Sequence, residues 1–405
     1  MTAQDNSKQS SVWSREFLLI NTILFIAAAG LAVFFDLQRH LESLAIPKYW
    51  IGALISADGL AGLAVQIVIT PFLHQRNARP AMFAGVLILC AAFVGYRWAA
   101  DPGTMLAVRM LHGCGFVVLV SSLMVALVHV IPEGRSGYAF GIVSTTRLIP
   151  YALVPPLLGL FPGGAANFGQ IVLVAAAGIF ALLPLVALLR PRPPANARAA
   201  QLAFERPPLR QQLQNLGEAR IANLMVQTLL LSAGYAIIFF YIRQYAVALG
   251  ITNAGLFFAL ATVTMIAARL ASAPLMDRYD KRRIAMGGLA LLACAFALLW
   301  LGAGYTAFLA SGLVAGLGWG IAMPAVSALV FDTSAPAFRG FNINASMVMV
   351  QASFFVGPMA GGIALAASGY AALFAGCALV SLVSAVLLSI MPSVRQTELG
   401  QKESG

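Results

Sequence analysis

Apolar and polar positions alternate along this chain on the scale of whole segments. A helix needs about 20 mostly apolar residues to cross about 30 Å of hydrocarbon. Twelve stretches meet that length: 17–39, 50–73, 80–99, 103–131, 137–161, 166–189, 221–247, 252–275, 284–303, 305–331, 340–366 and 368–391. Turn residues separate them, among them Pro47, Asp101-Pro102-Gly103, Pro132-Glu133-Gly134, Pro162-Gly163-Gly164 and Gly250. Almost nothing joins spans five and six, or eleven and twelve, so these pairs must run antiparallel as neighbours.

The longest polar stretch, Arg190 to Arg220, divides the spans six and six. It predicts an N-terminal six-helix half over 1–189, a cytoplasmic linker over 190–220 and a C-terminal half over 221–405. Leu209 to Leu216 is expected to form a short surface helix. The halves repeat. Gly113-Cys114-Gly115 in span four matches Gly316-Leu317-Gly318 in span ten, 203 residues later. Pro132 to Arg135 matches Pro336 to Arg339, at an offset of 204. The expected fold is an all-α membrane protein, twelve transmembrane helices in two six-helix pseudo-symmetric halves. Such a repeat, with a midplane cavity at its interface, is a transporter signature.

Composition agrees with the pattern. Charged residues are 10% of the chain, against about 25% in soluble domains, and mean hydropathy is +0.86. The net charge of +11 raises the question of nucleic acid. The placement of the 25 bases answers it. Eighteen fall at the N-terminus, in loops after even-numbered spans and at the C-terminus; four fall on the other side, and Arg109, Arg147 and Arg269 lie inside spans. Cytoplasmic loops carry excess Lys and Arg, so both termini are expected in the cytoplasm and the chain in the cell inner membrane. No nucleic-acid partner is expected. The four cysteines lie in apolar runs without metal spacing and read as small buried hydrophobes. No cleavable leader is recognised, so the first span is expected to act as the insertion signal.

The densest charge run, Met276-Asp277-Arg278-Tyr279-Asp280-Lys281-Arg282-Arg283, joins spans eight and nine. Its partner in the first half is Pro71 to Arg79, where Gln75 stands in place of the acid and Arg76 and Arg79 remain. Ala273 to Arg282 resembles the loop signature G-x-x-x-D-R-x-G-R-R of the major facilitator superfamily. Arg109-Met110-Leu111-His112-Gly113-Cys114-Gly115 is similar to its span-four signature R-x-x-Q-G-x-G, with His112 in place of glutamine. The exporters' Gly-Pro signature in span five is met only in part, by Pro156 and Gly159. The resemblance covers essentially the whole chain. It implies solute transport by alternating access, with Arg76, Arg79, Asp277, Arg278 and Arg282 as a conformational latch and Arg109 linked to proton coupling.

Arg147 sits about 15 Å into span five, at 1.5 Å per residue. An arginine at that depth is costly and tends to face a cavity or a partner. Its planar fork suits a carboxylate or phosphate, so an anion site is expected. The bland alternative is a structural pair. Asp58 is the acid clearly within a span. Burial disfavours its charge and a nearby arginine favours it; a group held between these effects can load and release a proton. Asp58 is therefore the expected proton carrier, with Arg109. His112, Gln227, Tyr235, Tyr241, Asn344 and Gln351 are further candidates for the substrate pocket, though singly such residues are more often interhelical glue. Arg269 is expected to be structural, anchoring Asp277 or reaching span eleven.

No phosphate-loop, dinucleotide, zinc or nucleophile-elbow signature is present. No cofactor is expected, and a gradient is the expected energy source. The expected function is secondary active, proton-coupled export (antiport) of a small organic metabolite, anionic or chelator-like. A monomer is expected to suffice, with protons, a small-molecule substrate and the bilayer as partners. The alternatives are proton-symport uptake of an organic or sugar acid, multidrug efflux, and a non-transporting sensor or membrane-embedded enzyme.

Overall fold

A computed structural model describes residues 11–159, 167–190, 207–251, 254–302 and 304–391. Within them every regular element is a helix. α1 (Arg15–Ala32) begins where the Ser14 side chain accepts from the Phe17 N–H, satisfying one of the helix's orphan donors. A 3-10 turn leads into the short α2 (Leu37–Ser43). α3 (Lys48–Ile69) and α4 (Gln75–Gly95) follow, and His74 and Asn77 cap α4 reciprocally. α5 (Pro102–Val128) starts with a proline already held at helical φ, and the Asp101 carboxylate accepts from the Gly103 and Thr104 N–H groups. A bond from the Thr104 hydroxyl, reinforced by these, holds the exposed Asp101 carboxyl below the usual carboxylate range.

α6 (Ser136–Gly159) is followed by α7 (Phe168–Phe180) and α8 (Leu182–Leu188), which together make one crossing. The second half holds α10 (Ala219–Ala248), α11 (Gly255–Arg278), α12 (Lys281–Leu301), α13 (Tyr305–Thr333) and α14 (Arg339–Ser389). α14 is two helices, broken at Gly369, whose φ of 75° favours a residue without a Cβ. Ten stretches are long and apolar enough to span a membrane. The last of them contains this break, and the 24-residue α6 adds another helix. The arrangement is consistent with twelve crossings.

Between the halves lies α9 (Leu209–Gly217), where the sequence predicts a surface helix. Its buried Gln212 donates to the Pro71 carbonyl at 3.2 Å, seating it on the loop after α3. Residues 191–206 of the expected linker, and the expected Pro162-Gly163-Gly164 turn, lie outside the described residues.

Two close approaches recur at the repeat offset. Gly113 lets α5 press onto α3 at Asp58, where a Cβ would overlap the Asp58 carbonyl. Gly316 lets α13 press onto α11 at Ala261 in the same way. Asp58 and Ala261 are themselves 203 residues apart, so the two halves use one packing device at matching places.

The hydrogen bonds named below that join the halves gather toward one end of the molecule, the end bearing the charged loops, called here the charged face. Tyr138 N–H at the start of α6 donates to Asp277 Oδ1 at the end of α11, at 3.1 Å. Gln66 in α3 donates to Asn344 in α14 at 3.2 Å, and Asn344 donates to the Ser121 carbonyl in α5 at 3.3 Å. Phe140 meets Phe331 edge-on, with ring centres 5.9 Å apart. These contacts close the charged face beneath a central cavity.

Candidate functional site

The cavity measures about 460 Å³ and lies between the halves, within the few-hundred-Å³ range of small-molecule sites. α5, α6, α10, α11, α13 and α14 supply most of its wall, together with Asp58 and Gly59 of α3. Much of the wall is apolar: Phe116, Met124, Met265, Trp319, Met347 and Phe354 all face it. The polar groups are few, and most of the charge is positive.

Arg147 faces the cavity from α6. Its guanidinium makes no hydrogen bond or ion pair with any described residue. Tyr151, one turn further along, also lines the cavity and lies within electrostatic range of both Arg147 and Asp58. From the other half, Arg269 lines the cavity from α11. It is buried, and its Nη1 donates to the Ser144 carbonyl of α6 at 2.8 Å. Neither expected partner, Asp277 nor span eleven, holds it. Its Nε is buried with no protein acceptor. Arg147 and Arg269 lie at similar depths, eleven residues from the start of α6 and nine from the end of α11. Ser144 lies three residues before Arg147, so the Arg269 bond sets the two cations on adjoining helices within a turn of each other.

Asp58 and Arg109 form an ion pair across the Gly113 contact. Arg109 also donates from Nε to the Leu54 carbonyl at 3.0 Å and from Nη2 to the Ile55 carbonyl at 2.7 Å. Its Nη1 is buried without a partner. The Asp58 side chain keeps 19% exposure at the cavity wall. The two residues chosen for proton chemistry are thus brought together.

His112 borders the cavity but is 1% exposed. Its ring sits among Phe34, Phe93 and Tyr96, and Nδ1 lies 3.2 Å from the Tyr96 hydroxyl. It packs the interior of the first half, with only its edge at the cavity wall. Tyr235 and Gln351 line the cavity. Tyr235 meets Trp319 edge-on at 5.0 Å, and Gln351 lies 3.4 Å from Gln66 Oε1 in the closed floor.

Three expected pocket residues do not line it. Gln227 is fully buried and donates to Asn223 within α10. Tyr241 donates to the Pro358 carbonyl at 2.7 Å and ties α10 to α14. Asn344 belongs to the cross-half floor. Tyr241 and Asn344 spend their polar atoms on neighbouring helices and Gln227 donates along its own, because a polar group inside a bilayer must be satisfied there. Tyr151, Trp319 and Ser144 were not singled out from the sequence. Tyr151 had a readable signal, since it lies four residues from Arg147 on one helix face.

The expected latch residues also divide. Asp277 crosses between the halves, accepting from Tyr138 and pairing with Arg135 at 3.8 Å. Arg79 donates to the Ala187 carbonyl in its own half. Arg282 reaches the Ser389 and Met391 carbonyls, again in its own half. Arg76 and Arg278 are exposed. Arg79 and Arg282 thus brace helix ends locally, and one carboxylate spans the seam. Among the described residues no group of three metal-ligating side chains stands together.

The comparisons with known proteins accord with this geometry. The chain is 27% identical over 335 residues to MFS-type transporters of Burkholderia mallei and Burkholderia pseudomallei, covering 78% of this chain and 74% of theirs. Among solved structures it resembles the E. coli fucose:proton symporter FucP (TM-score 0.72, 13% identity, 93% of this chain and 98% of that one). It also resembles the human organic anion transporter MFSD10 (TM-score 0.68, 16% identity, 93% and 100%). At these identities the likeness is one of fold. The model of the Major Facilitator Superfamily matches residues 17–300 and 246–404. With that match over nearly the whole chain, the protein belongs to the Major Facilitator Superfamily, as a multi-pass membrane transporter.

Proposed function

We propose that this transporter moves a small organic anion in a proton-coupled cycle, in the cell inner membrane with both termini cytoplasmic. One observation carries the substrate class: Arg147 is a cation in the central cavity with no counter-ion among the described residues. Asp58, the acid on the wall, is committed to Arg109. An unneutralised arginine at membrane depth is costly, and an anionic substrate removes that cost. The apolar wall suits a substrate with an aromatic or aliphatic body. That one structural relative is described as an organic anion transporter agrees with this class.

Asp58 carries the proton. Unprotonated, it neutralises Arg109; protonated, it releases that charge to the cavity. A proton on Asp58 therefore helps an anion to bind nearby. Exchange requires the opposite, competition for one site. The geometry thus favours proton and anion moving together, the symport reading, over the export expected from the sequence.

The test is a thermal-shift screen of organic anions on wild type and Arg147→Ala. Anions are expected to stabilise wild type and leave the variant unmoved; equal stabilisation of both discards the anion site. In right-side-out vesicles an inward proton gradient should drive accumulation, and Asp58→Asn should abolish the drive. Intact proton-driven transport in Asp58→Asn removes that role, and efflux against an inward proton gradient reverses the direction.

A further inference from the structure

The cavity holds two cations that its own acid does not neutralise, and they come from opposite halves. Arg147 has no hydrogen-bond or ion-pair partner among the described residues. Arg269, on the adjoining helix of the other half at similar depth, is buried and holds one carbonyl, with Nε left bare. Ser144 is one turn from Arg147, so the two cations stand on adjoining helices of opposite halves, both at the wall of the space a substrate would enter. A single carboxylate can satisfy one guanidinium bidentately and leaves the other exposed to a now drier site. Two acidic groups satisfy both.

The repeat sharpens this. The position matching Arg269 in the first half, 203 residues earlier, is Gln66. Gln66 is fully buried in the closed floor, bonded to Ser121 and Asn344. An uncharged amide therefore serves the same cross-half role, so holding the halves together does not require an arginine there. The charge at residue 269 is surplus to packing and is explained by a ligand.

We propose that the cavity selects an organic dianion, one acidic group held by Arg147 and the other by Arg269, so that the substrate bridges the two halves. This rests on the anion reading of the site and names the substrate class within it. Arg269 is then a specificity-determining residue, separating dianions from monoanions.

The probes are benzoate and phthalate, a monoanion and a dianion on the same ring, at neutral pH. Binding is measured to wild type, Arg147→Gln, Arg269→Gln and Arg269→Lys, each checked for a monodisperse, folded state. Phthalate should bind wild type at least about tenfold tighter than benzoate, as a second desolvated charge pair warrants. Arg269→Gln should bring the two within about twofold of each other, with benzoate little changed. Arg269→Lys should keep most of the preference, and it serves as the test if the glutamine variant does not fold. Arg147→Gln should weaken both ligands. Equal binding of the two anions to wild type overturns the dianion proposal and leaves the anion reading standing. So does a preference that survives in Arg269→Gln, or one that Arg269→Lys fails to keep. Binding of neither anion to wild type overturns both.

Discussion

Two seams close the charged face, and they are built differently. Along α6 and α11 the backbones nearly touch: a Cβ on Gly137 would overlap Met276, and one on Gly141 would press on Ala273. A carboxylate, Asp277, spans this seam to the N-terminal end of α6, where free N–H groups favour negative charge. Along α3 and α14 the join is made of amides, Gln66, Asn344 and Gln351. There a Cβ on Gly340, which matches Gly137 at the repeat offset, would have as its nearest neighbour Val125 of α5, at an ordinary 3.5 Å. Gln75, the counterpart of Asp277, has its side-chain oxygen buried with no protein donor. The repeat preserves helix placement and does not preserve the energetics of closure. One seam is tight and charge-assisted; the other is looser and neutral.

The largest expected effect comes from filling the tight seam. Gly137→Leu should cut transport at least about tenfold, since overpacking costs about 1–3 kcal/mol and here presses on a backbone. Gly340→Ala should stay within about twofold of wild type. Similar losses in proteoliposome assays would erase the distinction between the seams. Next is the carboxylate. A hydrogen bond to a charged group is worth about 1.5–3 kcal/mol, so Asp277→Asn should reduce transport several-fold and raise labelling of cysteines placed beneath the charged face. Gln75→Asp should change little or favour the state closed there. Equal, mild effects of both substitutions would sink the asymmetry. The smallest effect belongs to a bond within one half. Tyr241→Phe should lower stability by about 1 kcal/mol and leave anion affinity unchanged. A change in affinity would put Tyr241 back among the ligand contacts.

Much of the fold was legible because a membrane constrains it. Span length, the gathering of bases at one face and the glycines of spans four and ten are each imposed by the bilayer or by close packing, and each is written in the sequence. Asp58 and Arg109 were readable for the same reason, as costly charges at depth. Helix facing was not readable. Apolar residues surround each span on all sides, so no stripe marks which face looks inward. Gln227, Tyr241 and Asn344 were chosen for chemistry; Tyr241 and Asn344 bond neighbouring helices, and Gln227 bonds within its own. Arg269 shows the opposite error: the residues nearest in sequence suggested Asp277, and its bond is to a carbonyl in the other half.

The tight glycine contact between α3 and α5 has a kinematic consequence. It locks Asp58 and Arg109 into one block, so rocking of the halves carries the pair as cargo and does not pull it apart. Arg147 and Arg269 ride on different blocks. The α6–α11 seam and the Arg269 bond to Ser144 hold their like charges near each other in this state, and a motion that parts the seam gives relief. On the proposed reading an empty carrier meets an electrostatic barrier at mid-cycle that a bound dianion abolishes. The two arginines then act as an interlock against idle cycling, keeping the proton gradient from leaking through a transporter with nothing to carry.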